Sequence, residues 1–341
     1  MPSLNTFITV DFRPDIKGGT LDKTHESKFI LTGNKSLDSE HREYKAICFG
    51  PKSDRVLMNL EHAVDETDNI LFLYYEDIHK RWSYQSTNDQ QYFIYKQNET
   101  EIHKIKARNL YIRGCYINPE DKYWLVLGYF FNFVEFWEGN VICSPDKQLT
   151  NESKLFQLNN SLKKSAANTK SVSIGKSYVI KGSKHLYKLN KNNKYIVKSL
   201  SGVRSIVVDN DEFSAWDLQN LNNVPVLFQE KAEGNDLRVH VITDQVFART
   251  FPRKTCVDYR YDASFFEMSA VESLDEGLQD FVIRVSQHEQ NELMGIDFIQ
   301  SDNTYTVLEA NPSPGWSAYH ECNGIDNDDF VKNLIQALTH V

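Results

Sequence analysis

The segment Gly295-Ile-Asp-Phe-Ile-Gln-Ser-Asp-Asn-Thr-Tyr-Thr-Val-Leu-Glu-Ala-Asn311 constrains this chain more than any other. Two apolar runs, 295–300 and 304–311, joined by a polar turn predict a β-hairpin. Glu309 and Asn311 are two residues apart and so share one face. A three-residue turn of Asp302, Asn303 and Thr304 sets Asp297 directly opposite Glu309, with Cβ atoms ~5 Å apart on that face. A two-residue turn would set Asp297 opposite Leu308 and break the pairing. Two facing carboxylates and an amide oxygen are unfavourable together unless a cation lies between them. An all-oxygen set of this size suits Mg²⁺, which keeps waters and takes substrate phosphates.

Other positions agree with a Mg²⁺-nucleotide. Lys198 ends a strand and precedes Ser199-Leu-Ser-Gly-Val-Arg-Ser205, a small-residue loop able to lie over phosphates. Gln229-Glu230-Lys231 ends an apolar strand before a Glu-Gly-Asn-Asp turn, where main-chain donors and acceptors can meet a purine edge. Arg238, Arg249 and Arg260 lie on or after successive strands, as expected of cations that converge on a transferring phosphoryl group. Arg238 alternates with Leu237 and Val239, so it faces away from the core. His240 shares that face, with no evident partner to make it a base. Arg113, at a strand end, either faces substrate or is structural. Trp216 and Trp316 are expected to pack.

The charge is uneven. Eleven of the 38 basic residues fall between Lys154 and Lys198, a stretch without Asp or Glu, while all 47 acidic residues lie elsewhere. The net charge of −9 argues against a broad nucleic-acid footprint, which needs a basic field. The lysine block is either a solvated face or a lobe that receives polyphosphate or an acidic substrate. The greasiest run, 124–134, is far shorter than the ~20 residues that span a bilayer and predicts a buried helix. No basic, apolar and small-residue sequence of a signal peptide opens the chain. Five scattered cysteines without Cys-x-x-Cys fit free thiols in a reducing cytosol. The expectation is a cytoplasmic protein without nucleic-acid or membrane partners, with a homodimer left open.

Common motifs are missing. Gly175-Lys176-Ser177 has Lys170 where a phosphate loop has its first glycine, and Gly-x-Gly-x-x-Gly, His-Glu-x-x-His and Gly-x-Ser-x-Gly do not occur. Residues 1–145 mix strand-like runs (7–10, 70–75, 110–113) with polar helical stretches, a small α/β unit. Alternating strands follow at 194–199, 205–208, 224–229, 237–242 and 245–250. A helix is predicted over 275–293. An amphipathic helix is predicted over 325–341, with Phe330, Val331, Leu334, Ile335 and Leu338 on one stripe.

Three segments make the chain recognisable: Glu230-Lys-Ala-Glu-Gly-Asn-Asp-Leu-Arg-Val239, Leu308-Glu-Ala-Asn-Pro-Ser-Pro-Gly-Trp316 and Cys322-Asn-Gly-Ile-Asp326. Together they resemble the ATP-grasp superfamily over residues 143–341, and within it the RimK-type carboxylate–amine ligases and the graspetide (microviridin-type) peptide ligases. The resemblance implies an α/β (α+β) ATP-grasp fold. It has an N-terminal domain (1–145) that selects substrate, then a lysine-rich lobe (146–222) and a C-terminal lobe (223–341) that clasp ATP. It makes Asp297, Glu309 and Asn311 ligands of one or two Mg²⁺ ions, with Mn²⁺ as a substitute. Lys154 and Lys198 become the nucleotide lysines, Gln229 to Lys231 the adenine hinge and Asp236 the ribose contact. Arg238 and Arg260 match the phosphate and acyl-phosphate arginines. With only Gly202 in its loop, this chain shares phosphate cover with Arg204. Its Asn-Pro-Ser-Pro-Gly-Trp is closer to RimK-type enzymes than to the Asn-Pro-Asn-Gly-Gln-Trp of many peptide cyclases.

The implied reaction is ATP-dependent activation of a carboxylate as an acyl phosphate, then its joining to an amine or hydroxyl. The lysine surplus and long N-terminal region favour a peptide substrate over a small-molecule carboxylate. The alternatives are a RimK-type ligase adding an amino acid to a protein or metabolite, and a non-catalytic nucleotide-binding scaffold.

Overall fold

The computed structural model describes residues 42–86, 90–98, 101–114, 124–167, 169–190, 192–200, 208–209, 221–252, 267–320 and 328–340. The strand expected at 7–10, Trp216, and most of the strand expected at 205–208 lie outside them.

Among the described residues, three sheets carry the chain. The first joins β1 (Arg42–Gly50), β2 (Ile70–Tyr74), β3 (Trp82–Ser86), β4 (Gln91–Lys96) and β5 (Ile102–Ile112) in the order β2-β1-β5-β4-β3, with β6 (Asn140–Ile142) against β5. β1 runs parallel to β2 and β5, so it is covered on both sides. Its residues alternate accordingly. Ile47 and Phe49 enter an aromatic core with helix α2 (Trp124–Glu135), while Ala46 and Cys48 pack under helix α1 (Arg55–Ala63). The greasy run at 124–134 is therefore the expected helix. Among the described residues, no helix is long and apolar enough to cross a membrane, and Cys48 and Cys143 are free buried thiols.

After helix α3 (Pro145–Leu149) come α4 (Lys154–Asn159) and α5 (Ser161–Ala166). The third sheet takes β7 (Val172–Ile174), and the second takes β8 (Ser177–Ile180), β9 (Tyr195–Lys198), β10 (Val208–Asp209) and β11 (Val226–Glu230), in the order β10-β9-β11-β8. The remaining strands of the third sheet are β12 (Asn235–Ile242), β13 (Gln245–Phe251), β14 (Ser269–Ala270), β15 (Leu293–Ser301) and β16 (Thr304–Asn311). Its order is β14-β13-β12-β15-β16-β7. Strands thus cross residue 222 both ways: β11 joins β8 and β9, and β7 joins β16.

One face of the third sheet is core. Leu237, Val239, Val241, Met294, Ile296 and Phe298 pack against helix α6 (Glu276–Glu289), whose Leu278, Phe281, Val282 and Val285 recur at helical spacing. Burial of each such side chain contributes about 1.5–3 kcal/mol. The helix is shorter than the 275–293 expected. Gln290 adopts φ 50° and caps it, with its N–H on the Ser286 and Gln287 carbonyls, and Leu293 already belongs to β15. The last helix, α7 (Asp329–Thr339), buries the predicted stripe of Phe330, Val331, Leu334 and Leu338 between the first and third sheets, with Ile335 partly buried beside it. Gly234 opens β12 at φ 141°, where a Cβ would fall 2.1 Å from the Gln300 carbonyl oxygen.

The hairpin turn departs from expectation. Ser301 pairs with Thr304 around a two-residue turn, with Asp302 at φ 50°. The register then shifts between Asp297 and Phe298: Phe298 faces Val307, Asp297 faces Glu309, and Leu308 is the extra residue of a bulge. The bulge also exchanges the strand's faces. Tyr305 and Val307 are core residues, yet so is Ala310, which turns Glu309 and Asn311 outward.

Candidate active site

On the outward face of the third sheet, four neighbouring strands align one charged residue each. Arg249 on β13 faces Arg238 on β12, Arg238 faces Asp297 on β15, and Asp297 faces Glu309 on β16. Two cations and two anions thus form one row. Alternation supplies it, because Leu237, Val239, Ile296 and Phe298 occupy the other face.

Each anion has a cationic partner. Arg238 Nη1 donates to Asp297 Oδ2 at 2.8 Å, and Lys154 Nζ stands 3.3 Å from Glu309 Oε2. Lys198, at the end of β9, is buried like Lys154. Burial alone would raise the Glu309 pKa, but Lys154 and Lys198, with Arg238 behind them, hold it below the usual carboxylate value. Glu309 is therefore ionised at neutral pH. The other described lysines between them (163, 164, 170, 176, 181, 184, 188 and 194) are all exposed.

Arg238 is fixed on several sides. Its Nε donates to His240 Nε2 at 3.2 Å, and its Cζ lies 5.5 Å from the Tyr319 ring centroid. Gly295 makes room for it, since a Cβ there would meet Arg238 Nη2 at 2.2 Å and Pro314 Cβ at 2.7 Å. Arg249 is engaged elsewhere: its Nε donates to the Tyr319 carbonyl at 3.0 Å and its Nη2 lies 3.3 Å from Asp328 Oδ2.

Asn311 lies opposite Gly295, one row along from the acidic pair, and its Oδ1 accepts the Ser313 N–H at 2.9 Å. The candidate metal set is therefore two carboxylates and one amide oxygen. Among the described residues no group of three His, Cys, Asp or Glu forms a metal site, so the amide is needed. Donor chemistry fits a hard cation, with oxygen atoms alone and two negative charges.

The segment expected to serve as an adenine hinge, Gln229 to Lys231, has its main chain already engaged. The N–H groups of Glu230 and Lys231 already donate to the Lys176 and Lys194 carbonyls at 2.9 Å each, so neither is open to a purine. Both strand neighbours of β11 use them. What remains unmatched is the Gln229 side chain, 1% exposed, whose amide oxygen and nitrogen have no hydrogen-bond partner among the described residues. A buried amide in that state is unfavourable by about 1–3 kcal/mol, so Gln229 fits a polar ligand edge. Glu230 Oε1 accepts from Asn193 Nδ2 at 2.8 Å. Asp236 is buried two residues before Arg238, on the same face. Arg204, Arg260 and residues 201–207 lie outside the described residues.

Sequence reasoning missed the residues that hold this arrangement. Gln157 on α4 brackets Ala310, its Oε1 accepting the Ala310 N–H and its Nε2 donating to the Ala310 carbonyl. Lys154 and Gln157 are three apart on one helix face, a spacing that could have revealed the pair. Arg113 is structural: its Nη1 donates to the Ser313 and Pro314 carbonyls and to Ser313 Oγ, and its Nη2 pairs with Asp54. It ties the first sheet to the segment just beyond Asn311. Trp316 is fully buried, as expected.

The chain is similar to known proteins in sequence profile and in fold. A sequence profile of the RimK-like ATP-grasp domain matches residues 159–338, more than half of the chain. A probable alpha-L-glutamate ligase of Histophilus somni is 30% identical over 141 residues, which span 38% of this chain and 46%, about half, of that protein. A RiPP-associated ATP-grasp ligase of Chryseobacterium gregarium, solved with ADP and a leader and core peptide, superposes with a TM-score of 0.69 at 15% identity. That match covers 86% of this chain and 96% of the other. The macrocyclase MdnC of Microcystis aeruginosa, solved with its precursor peptide MdnA, gives 0.64 at 12% identity and covers 87% and 100%. At those identities the likeness is one of fold. With the fold of ATP-grasp ligases and a profile match over most of the two later sheets, the chain belongs to the RimK-like ATP-grasp family.

Proposed function

We propose that the chain is an ATP-dependent ligase that activates a carboxylate as an acyl phosphate and joins it to an amine or hydroxyl of a peptide. The observation that carries this reading is the row Arg249–Arg238–Asp297–Glu309, flanked by two buried lysines. Phosphoryl transfer to a carboxylate needs little covalent help from a protein. It needs positioning and neutralisation of charge spread over the phosphoryl oxygens. Asp297, Glu309 and Asn311 would hold one or two Mg²⁺ ions, which supply charge neutralisation at the transferring group. Lys154 and Lys198 are proposed to meet the nucleotide phosphates, Gln229 the base, Asp236 the ribose, and Arg238 and Arg260 the phosphoryl group and acyl phosphate. Residues 1–145 are proposed to select substrate, with ATP between the lobes of 146–222 and 223–341.

The fold neighbours solved with precursor peptides support a peptide substrate. The Histophilus relative supports a second reading, transfer of a single amino acid. ADP release from MgATP separates the two. It should require synthetic peptides rich in Thr, Ser, Lys, Asp and Glu, and free glutamate should not replace them. Release with glutamate alone would favour the second reading, and release with neither would reduce the chain to a nucleotide binder.

A further inference from the structure

The row of charges continues into buried polar groups that the proposed chemistry does not use. Arg238 Nε donates to His240 Nε2 at 3.2 Å, His240 Nδ1 lies 2.9 Å from His320 Nε2, and His320 Nδ1 lies 3.0 Å from Asp328 Oδ2. An arginine can only donate. His240 Nε2 is therefore bare and its proton sits on Nδ1. That proton is donated to His320 Nε2, so the His320 proton also sits on Nδ1 and goes to Asp328. One direction runs through both rings, and it holds only while both are neutral. Burial, with Arg238 next, keeps His240 well below the usual histidine pKa, and burial keeps His320 below it despite Asp328.

The far end is anchored. Asp328 Oδ1 caps α7 by accepting the Val331 N–H at 3.1 Å, while Arg249 Nη2 donates to Oδ2 at 3.3 Å and, at 3.5 Å from the protonated His320 Nδ1, makes no hydrogen bond to it. The rings are packed as well. His320 stacks on Phe330 with centroids 3.9 Å apart, and His240 meets Tyr319 edge-on at 5.3 Å.

We infer that His240, His320 and Asp328 are positioning residues that hold the Arg238 guanidinium in one plane above Gly295. A planar group held at Nε by His240 and at Nη1 by Asp297 has no remaining rotation. A guanidinium fixed before phosphate arrives needs no reorganisation during the reaction. The inference rests on the reading that Arg238 meets the transferring phosphoryl group.

Asp328→Asn tests the direction of the relay. The amide oxygen keeps the helix cap, and its NH₂ now faces His320 Nδ1. Both ring tautomers must then reverse, which sets His240 Nε2–H against Arg238 Nε–H, the wrong-tautomer effect of an Asp-to-Asn change. With MgATP and the Thr/Lys/Glu-rich peptide, kcat for ADP formation should fall about 10- to 100-fold. The KM for ATP should stay constant, and ¹⁵N spectra should show the His240 proton moved from Nδ1 to Nε2. His240→Phe, which removes the acceptor whatever the tautomers, should give a similar fall in kcat. It should add nothing in an Arg238→Lys background. Wild-type kcat in His240→Phe, additive losses with Arg238→Lys, or a wild-type His240 protonated on Nε2 would each overturn the relay. Wild-type kcat in Arg238→Lys alone would instead remove the reading of Arg238, and the tautomer measurement needs no turnover.

Discussion

Asp297 faces Glu309 across β15 and β16 although the two-residue turn between them, continued as a regular ladder, would face Asp297 with Leu308. The bulge at Leu308 restores the pair and rotates the strand, so that residues of one parity serve the core up to Val307 and the site from Glu309. Glu309→Gln follows directly. It removes one charge at constant shape and leaves Lys154 and Lys198 without their carboxylate. ADP release should fall at least about 100-fold, the scale of losing one preorganised electrostatic contact. The circular dichroism spectrum should be unchanged. Turnover within tenfold of wild type would remove Glu309 from the site.

Gly295→Ala probes the space above the sheet. Its Cβ would lie 2.2 Å from Arg238 Nη2 and 2.7 Å from Arg238 Cζ, so the guanidinium must leave its 2.8 Å bond to Asp297. Two of the three atoms met are the far end of a flexible side chain; the third, Pro314 Cβ at 2.7 Å, belongs to a loop on the outward face, with the core on the opposite one. Activity should therefore drop about tenfold or more while the thermal midpoint moves little, since misplacement near the chemistry is amplified in rate. A midpoint that collapses with activity would show that Gly295 serves packing instead.

Much of this was legible because charge on an apolar strand is conspicuous. Arg238 between Leu237 and Val239 could be placed on the outward face by alternation alone, whereas alternation puts Glu309 and Asn311 on one face with each other but, counted from Val307, on the core side. The stripe of α7 was legible for the same reason. The bulge was not, because nothing in Thr-Val-Leu-Glu marks it; it appears only in the fold, where the core takes both Val307 and Ala310, three residues apart. The end of α6 was hidden too, since a left-handed Gln290 carries neither Gly nor Pro as a signal. His240 looked solitary in sequence because its partner, His320, lies 80 residues on and meets it only through the fold.

The two buried imidazoles predict a pH dependence of stability. Both have pKa values below the ordinary 6.5 in the folded chain, with burial the leading cause. Below about pH 6.5 the unfolded chain takes up protons that the folded one refuses, so stability falls as pH falls, by at most about 1.4 kcal/mol per pH unit for each ring. Urea midpoints should be level above about pH 7.5 and decline toward about pH 5.5. The decline should be shallower in His240→Phe, which removes one of the two rings. Glu309 and Asp328, held low, add their own loss only below the ordinary carboxylate range. A midpoint independent of pH down to about 5.5 would mean that the rings are protonated in the folded state.

The last prediction concerns the lysines that the site does not use. Lys154 and Lys198 are buried beside Glu309, whereas Lys181, Lys184 and Lys188 are exposed on a stretch that carries no acidic residue. On the proposed reading, a nucleotide triphosphate would be served by the buried pair, Mg²⁺ and arginines. The exposed cations are free to act at longer range, through a field screened over about 8–10 Å at physiological salt. Such a field raises the encounter rate of an acidic partner and weakens as ionic strength rises. Reversing the three to Glu should raise the apparent KM of an acidic peptide several-fold and flatten its salt dependence. The KM for ATP should hold, because none of the three contacts the row of charges. If peptide KM and its salt slope are both untouched, the lysine-rich stretch is a solvated face and substrate choice rests with other surfaces.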